Sequence, residues 1–111
     1  MEQFEQQWQE VEKMLAERFG KQPDMEAILF LIGMNELGKM PNMSKWSKEQ
    51  KQDLMHVAVC HLLSLRGYFE FVGLDEEGWP HYEKLFAVEV GGTAEQEQLL
   101  KECIIQYFAE N

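Results

Sequence analysis

Residues 25 to 37, MEAILFLIGMNEL, place apolar side chains on nearly every side of a helix, with Glu26, Asn35 and Glu36 confined to its ends. A helix that is hydrophobic all round has no face for water and must be enclosed by other elements. Its apolar run, AILFLIG at 27 to 33, falls far short of the roughly 20 residues that span a bilayer. The enclosure therefore has to come from protein, and this helix is expected to lie at the centre of the core. Pro23 and Asp24 mark its start, because proline is tolerated in a first turn and an acid suits the positive end of the helix dipole. Gly38 marks its stop, and Gly33 within it predicts a close helix crossing.

The covering elements are legible from periodicity. From Glu2 to Phe19, the residues Phe4, Trp8, Val11, Leu15 and Phe19 recur at helical spacing opposite a Glu- and Gln-rich face, and Gly20 ends the run. Trp8 is expected to anchor this helix to the core. A third helix, KEQKQDLMHVAVCHLLSLR, follows Ser47, which with Gln50 forms a capping box, and ends before Gly67. Leu54, Met55, Ala58, Leu62 and Leu65 form its inner face, extended by Val59 and Leu63. A last helix is predicted from Thr93, with Thr93 and Gln96 as a second capping box after Gly91-Gly92 and a wide apolar face of Leu99, Leu100, Cys103, Ile104, Tyr107 and Phe108.

Between the third and last helices the period changes. GYFEFVGL and WPHYEKL are aromatic and β-branched extended runs joined by DEEG. Asp75 begins the turn, Gly78 supplies its positive φ, and Glu76 and Glu77 form a solvated tip. Pro80 cannot donate to a ladder and assigns the second run to an edge. The expected fold class is mainly α (α+β): a four-helix small domain with a β-hairpin between the third and fourth helices, as one globular domain over 1–111. At 111 residues such a domain buries roughly 65% of its unfolded surface, enough for a core without disulfides or metal. Cys60 and Cys103, both inside helical segments, are expected to be free and partly buried thiols. The acidic start MEQFEQQWQE lacks the positive charge and apolar run of a secretion signal, so a soluble, cytoplasmic protein is expected.

The net charge of −10 is distributed as −5 over residues 1–37, +3 over 38–66 and −8 over 67–111. An acidic chain presents the wrong field to nucleic acid, so neither nucleic acid nor membrane is an expected partner. Lys39, Lys45, Lys48 and Lys51 are the one basic cluster, suited to an anion, an acidic partner or the acidic face of a second copy, or to a plain solvated face. Trp46 lies beside it.

Three constellations carry chemistry. On the third helix Asp53, His56, Cys60 and Ser64 fall in one sector away from Leu54 and Leu62. A carboxylate, an imidazole and a thiol on adjacent turns suit a transition metal or an activated thiolate, and either use requires an accessible Cys60. Two good ligands and an acid fall short of the usual three protein ligands plus water, no CxxC or HExxH occurs, and His61 points to the opposite flank. The second is His81 with Asp75, Glu76 and Glu77, a pH-sensitive contact or a surface turn, with strand alternation placing His81 opposite Tyr82. The third is the aromatic set Tyr68, Phe69, Phe71, Trp79, Tyr82 and Phe86, which serves either the core or recognition of a peptide or cationic ligand.

No phosphate-binding loop, nucleotide fingerprint or Ser-His-Asp order is present, and Glu95 and Glu97 disfavour a phosphate after Gly91-Gly92. The sequence favours a non-enzyme without cofactor: a small interaction module that docks a protein partner or forms a homodimer through Trp79, His81, Tyr82, Tyr107 and Phe108. The alternative is a small-molecule or metal-binding protein centred on Asp53, His56 and Cys60.

Overall fold

The computed structural model describes residues 2–38, 47–88 and 91–110. Its elements are α1 (Glu2–Phe19), α2 (Met25–Leu37), α3 (Lys48–Ser64), β1 (Phe69–Leu74), β2 (Pro80–Lys84) and α4 (Thr93–Glu110). Four helices with an antiparallel hairpin between the third and fourth is the architecture expected from the periodicity. Lys39, Lys45 and Trp46 lie outside the described residues; Lys48 and Lys51 are exposed at the start of α3. Among the described residues no helix is long and apolar enough to cross a membrane.

Local chemistry accounts for most helix ends. The Asp24 carboxylate accepts from Ala27 N at 2.8 Å and caps α2, and Gly38 closes it in the left-handed conformation. At α3, Ser47 Oγ accepts from Gln50 N at 3.1 Å while Gln50 Oε1 accepts from Ser47 N at 2.9 Å, so both halves of the capping box are made. Two ends differ from expectation. Helix α3 stops at Ser64 with Leu65 as its cap, two residues short of Arg66. At α4, Thr93 is already helical and the Gly92 carbonyl accepts from Gln96 N at 3.0 Å. The cap position is therefore Gly92, one residue before the expected Thr93, because that carbonyl takes the first helical bond.

The core joins Val11 and Leu15 of α1, Ile28 and Ile32 of α2, Ala58 and Leu62 of α3, and Cys103 and Ile104 of α4. Trp8 packs half-buried against it, with Lys101 Nζ 5.3 Å from its ring centroid, which ties α1 to α4. The most extensive packing is between α2 and α3, and α3 also meets α4, β1 and β2. It is buried on more sides than one apolar stripe predicts: Val57 and Cys60, on the flank away from Leu62, are buried as well. The closeness of α2 to α3 depends on Gly33. A Cβ there would run into the Leu54 carbonyl oxygen and lie 2.8 Å from Leu54 Cγ.

The strands pair with Phe71 opposite Tyr82 and Gly73 opposite His81, so Val72 is an extra residue, a bulge. Gly73 there has φ 142°, which favours glycine. Leu85 N and Phe86 N both donate to the Tyr68 carbonyl and close the hairpin's base.

Gly33→Ala tests the crossing. Alanine improves helix propensity by about 1 kcal/mol, but overpacking against a backbone carbonyl that cannot rotate aside costs about 1–3 kcal/mol. The expected result is a lower urea midpoint at unchanged m-value, where propensity alone would raise it.

Candidate functional site

Members of all three constellations read separately in the sequence converge on one cavity of about 300 Å³. Helix α3 supplies Asp53, His56, Val57 and Cys60, a stripe at successive helical turns. The hairpin supplies Asp75, Trp79, Pro80, His81 and Tyr82 across from it. The convergence follows from the turn. Asp75 Oδ1 accepts from Glu77 N and Trp79 N, each at 2.9 Å, while Asp75 N donates to the Trp79 carbonyl at 2.9 Å. Asp75 is thus the hub of the turn, and Glu76 and Glu77 are its exposed tip.

Asp75 Oδ2 lies 2.9 Å from His81 Nε2. The imidazole and then the Trp79 backbone amide hold the Asp75 carboxyl below the usual carboxylate range. This pairing also explains why His81 and Tyr82 line one cavity despite strand alternation: the imidazole is tied to Asp75, itself a lining residue, and borders the cavity at the turn end.

On the helical side His56 is exposed, and its Nε2 lies 3.5 Å from Cys60 Sγ. Cys60 is only 4% exposed. Burial pushes its thiol up, so the neutral S–H is favoured and the thiolate that both metal ligation and nucleophilic attack require is disfavoured. Cys103 is free and buried too, and burial raises it likewise. Among the described residues no group of three His, Cys, Asp or Glu side chains is arranged to hold a metal ion. Ser64 takes no part in the cavity; its hydroxyl donates to the His61 carbonyl.

Beside the cavity lies a polar cluster for which the sequence reading has no counterpart. Tyr82 Oη is 3.0 Å from His61 Nδ1, the same nitrogen is 3.4 Å from Glu36 Oε1, and Tyr107 O–H donates to Glu36 Oε2 at 2.8 Å. The His61 ring stands edge-on to both tyrosine rings, with centroids 6.1 Å and 5.5 Å away. Four elements, α2, α3, β2 and α4, meet in this cluster. The signal for it was a histidine near the apolar face of α3 together with a glutamate at the end of an otherwise apolar helix, since polar groups carried inward need partners.

This arrangement places one expected interaction residue, Tyr107, in the core. Tyr107 is 3% exposed and part of the core, because its hydroxyl must reach Glu36. Phe108 packs half-buried against the core with its ring 5.2 Å from that of Tyr107. Tyr107 is thus enclosed, while Phe108 keeps a partly exposed edge beside Val11 and Met14. Trp79 and Tyr82 are half-buried at the cavity. The large exposed apolar groups of this region are instead Phe71, Val72 and Leu74 on β1 and Leu85 and Phe86 after β2.

No protein-family model matches the chain, and no match was found among curated proteins or solved structures.

Two predictions follow from the geometry. Burial, then the nearby Glu36 charge, pushes Tyr82 up to about 12; burial, then its hydrogen bond to Glu36, does the same for Tyr107. The folded state thus holds these protons more tightly than an unfolded phenol titrating near 10. Their stabilisation is fully present below pH ~10 and is lost as pH rises through about 12. Absorbance at 295 nm followed with circular dichroism is expected to show two tyrosines ionising together with unfolding; ionisation with full helicity retained would contradict it. For the thiols, a disulfide reagent should label Cys60 and Cys103 slowly in native protein and rapidly in urea. Rapid native labelling of Cys60 would restore the reactive-thiol reading.

Proposed function

We propose that this chain is a self-associating interaction module that meets a second copy through the exposed apolar groups of its hairpin. The observation that carries this reading is the set of large apolar side chains left exposed on and just after the hairpin, with Phe71 53%, Leu74 64% and Phe86 66% exposed. Among the described residues the sheet has two strands, so each strand keeps one unpaired edge.

Acids surround the apolar groups: Glu70, Asp75, Glu76, Glu77 and Glu83 against Lys84. With a net charge of −10 per chain, apolar contact between copies works against like-charge repulsion, so self-association should strengthen as salt rises. A basic partner would show the opposite salt dependence. Sedimentation velocity over a concentration series is expected to show a dimer favoured by salt, and Phe71→Asp or Phe86→Asp should give a monomer with unchanged helical circular dichroism. A wild-type monomer at every concentration up to about 1 mM would overturn the proposal.

A second reading, small-molecule binding, is favoured by a separate observation: the α3–hairpin cavity combines aromatic walls, imidazoles and carboxylates in a volume at the lower end of ligand pockets. It keeps Asp53, His56 and Cys60 as site residues and adds Asp75, Trp79, His81 and Tyr82. In this reading Cys60 is a buried neutral thiol beside the His56 imidazole and not a nucleophile.

A further inference from the structure

We propose that the cavity between α3 and the hairpin takes a small organic cation, an amine whose apolar body lies against the hairpin aromatics and whose ammonium group meets Asp53. The inference rests on the small-molecule reading and names its ligand class.

The walls are apolar where an apolar body would lie: Trp79, Pro80 and Tyr82 on the hairpin side and Val57 on the helix side. The electron-rich faces of Trp and Tyr attract a cation as well as apolar surface. At the mouth stand two carboxylates, Asp53 and Asp75, both exposed. They are not equivalent. Asp75 is committed to the turn, accepting from two backbone amides and paired with His81. Asp53 has, among the described residues, no hydrogen-bond or ion-pair partner, so its carboxylate is available to a ligand.

The rest of the lining fits the same class. The His56–Cys60 pair offers one weak polar contact at the helix side, and the Tyr82 hydroxyl is engaged with His61 outside the lining. Among the described residues no lysine or arginine lines the cavity. The surrounding field has the same sign, because residues 67–111 carry a net −8.

The test is a titration of the full ¹⁵N-labelled chain, followed by NMR, with three isosteric probes: phenethylammonium, 2-phenylethanol and 3-phenylpropionate. The ammonium probe is expected to shift the amides of Asp53, Trp79 and Tyr82 and to bind about ten-fold more tightly than the alcohol. The anionic probe should be weakest. Asp53→Asn, a change on an exposed helical position that leaves the fold intact, should weaken the ammonium probe about five-fold and leave the alcohol unchanged. Equal binding of the ammonium and the alcohol, or an ammonium affinity unmoved by Asp53→Asn, would overturn the cation inference while the cavity reading stands. If none of the probes shifts these amides at about 10 mM, both fall.

Discussion

The approach of α2 to α3 at Gly33 and Leu54 sets the rest of the molecule. Because a Cβ at residue 33 would strike the Leu54 backbone, only glycine lets the two helices come this close. The closeness lets α3 cover one side of the largely apolar α2 and stand at the junction of every later element. It also fixes which way the remaining faces of α3 point. Taking Leu54 as the direction of α2, a rotation of about 100° per residue puts Val57 about 60° and Cys60 about 120° round the helix. That stripe is the one the hairpin covers and the one that lines the cavity. His61, by the same rotation, returns to within about 20° of Leu54, two turns on. It therefore faces α2, where Glu36 waits.

The Glu36, His61, Tyr82 and Tyr107 cluster explains how a hairpin of two strands holds its place. An isolated two-stranded ribbon is marginally stable in water, and this one has several of its large apolar groups exposed. What fixes it to the helices is Pro80, buried in β2, and Tyr82, whose hydroxyl reaches His61. The histidine nitrogen has two possible partners. When it is unprotonated it accepts from the Tyr82 hydroxyl, and when it carries a proton it donates to the phenol or to Glu36, so the link persists in either tautomer. Tyr107 completes the cluster from α4 and saturates the second oxygen of Glu36.

What was legible in the sequence was whatever a short window determines. The limits of α1 and α2, the capping box at Ser47 and the Asp75–Gly78 turn are decided by residues a few positions apart, and the close crossing was marked by a lone glycine inside an apolar helix. What was not legible depends on how distant elements meet. The flank carrying His56 and Cys60 read as polar because its own residues are mixed, yet Cys60 is buried by a hairpin that begins nine residues later. Tyr107 and Phe108 read as a possible outer face because nothing near them in the chain shows that Glu36, 71 residues away from Tyr107, needs a hydroxyl. The Val72 bulge escaped for the same reason, since a register slip is a property of two strands together. At Thr93 the ambiguity is local: a Thr-x-x-Gln pattern fits a capping box at Thr93 or a helix begun one residue earlier, and the Gly92 carbonyl decides between them.

Tyr82 connects the two surfaces proposed for function. Its ring stands edge-on to Phe71 at 5.7 Å, within the exposed apolar run, while it also walls the cavity and its hydroxyl enters the Glu36 cluster. A group held between Tyr82 and Val57 would therefore bear on a side chain that is hydrogen-bonded to the helices and packed against the proposed contact between copies. Whether such a group changes self-association depends only on whether it binds the dimeric and monomeric forms with different affinity, because linkage requires a differential and nothing more. The hydrogen bond to His61 acts against a large movement of Tyr82. The Phe71 ring is 53% exposed in the single chain and would be covered in the proposed contact.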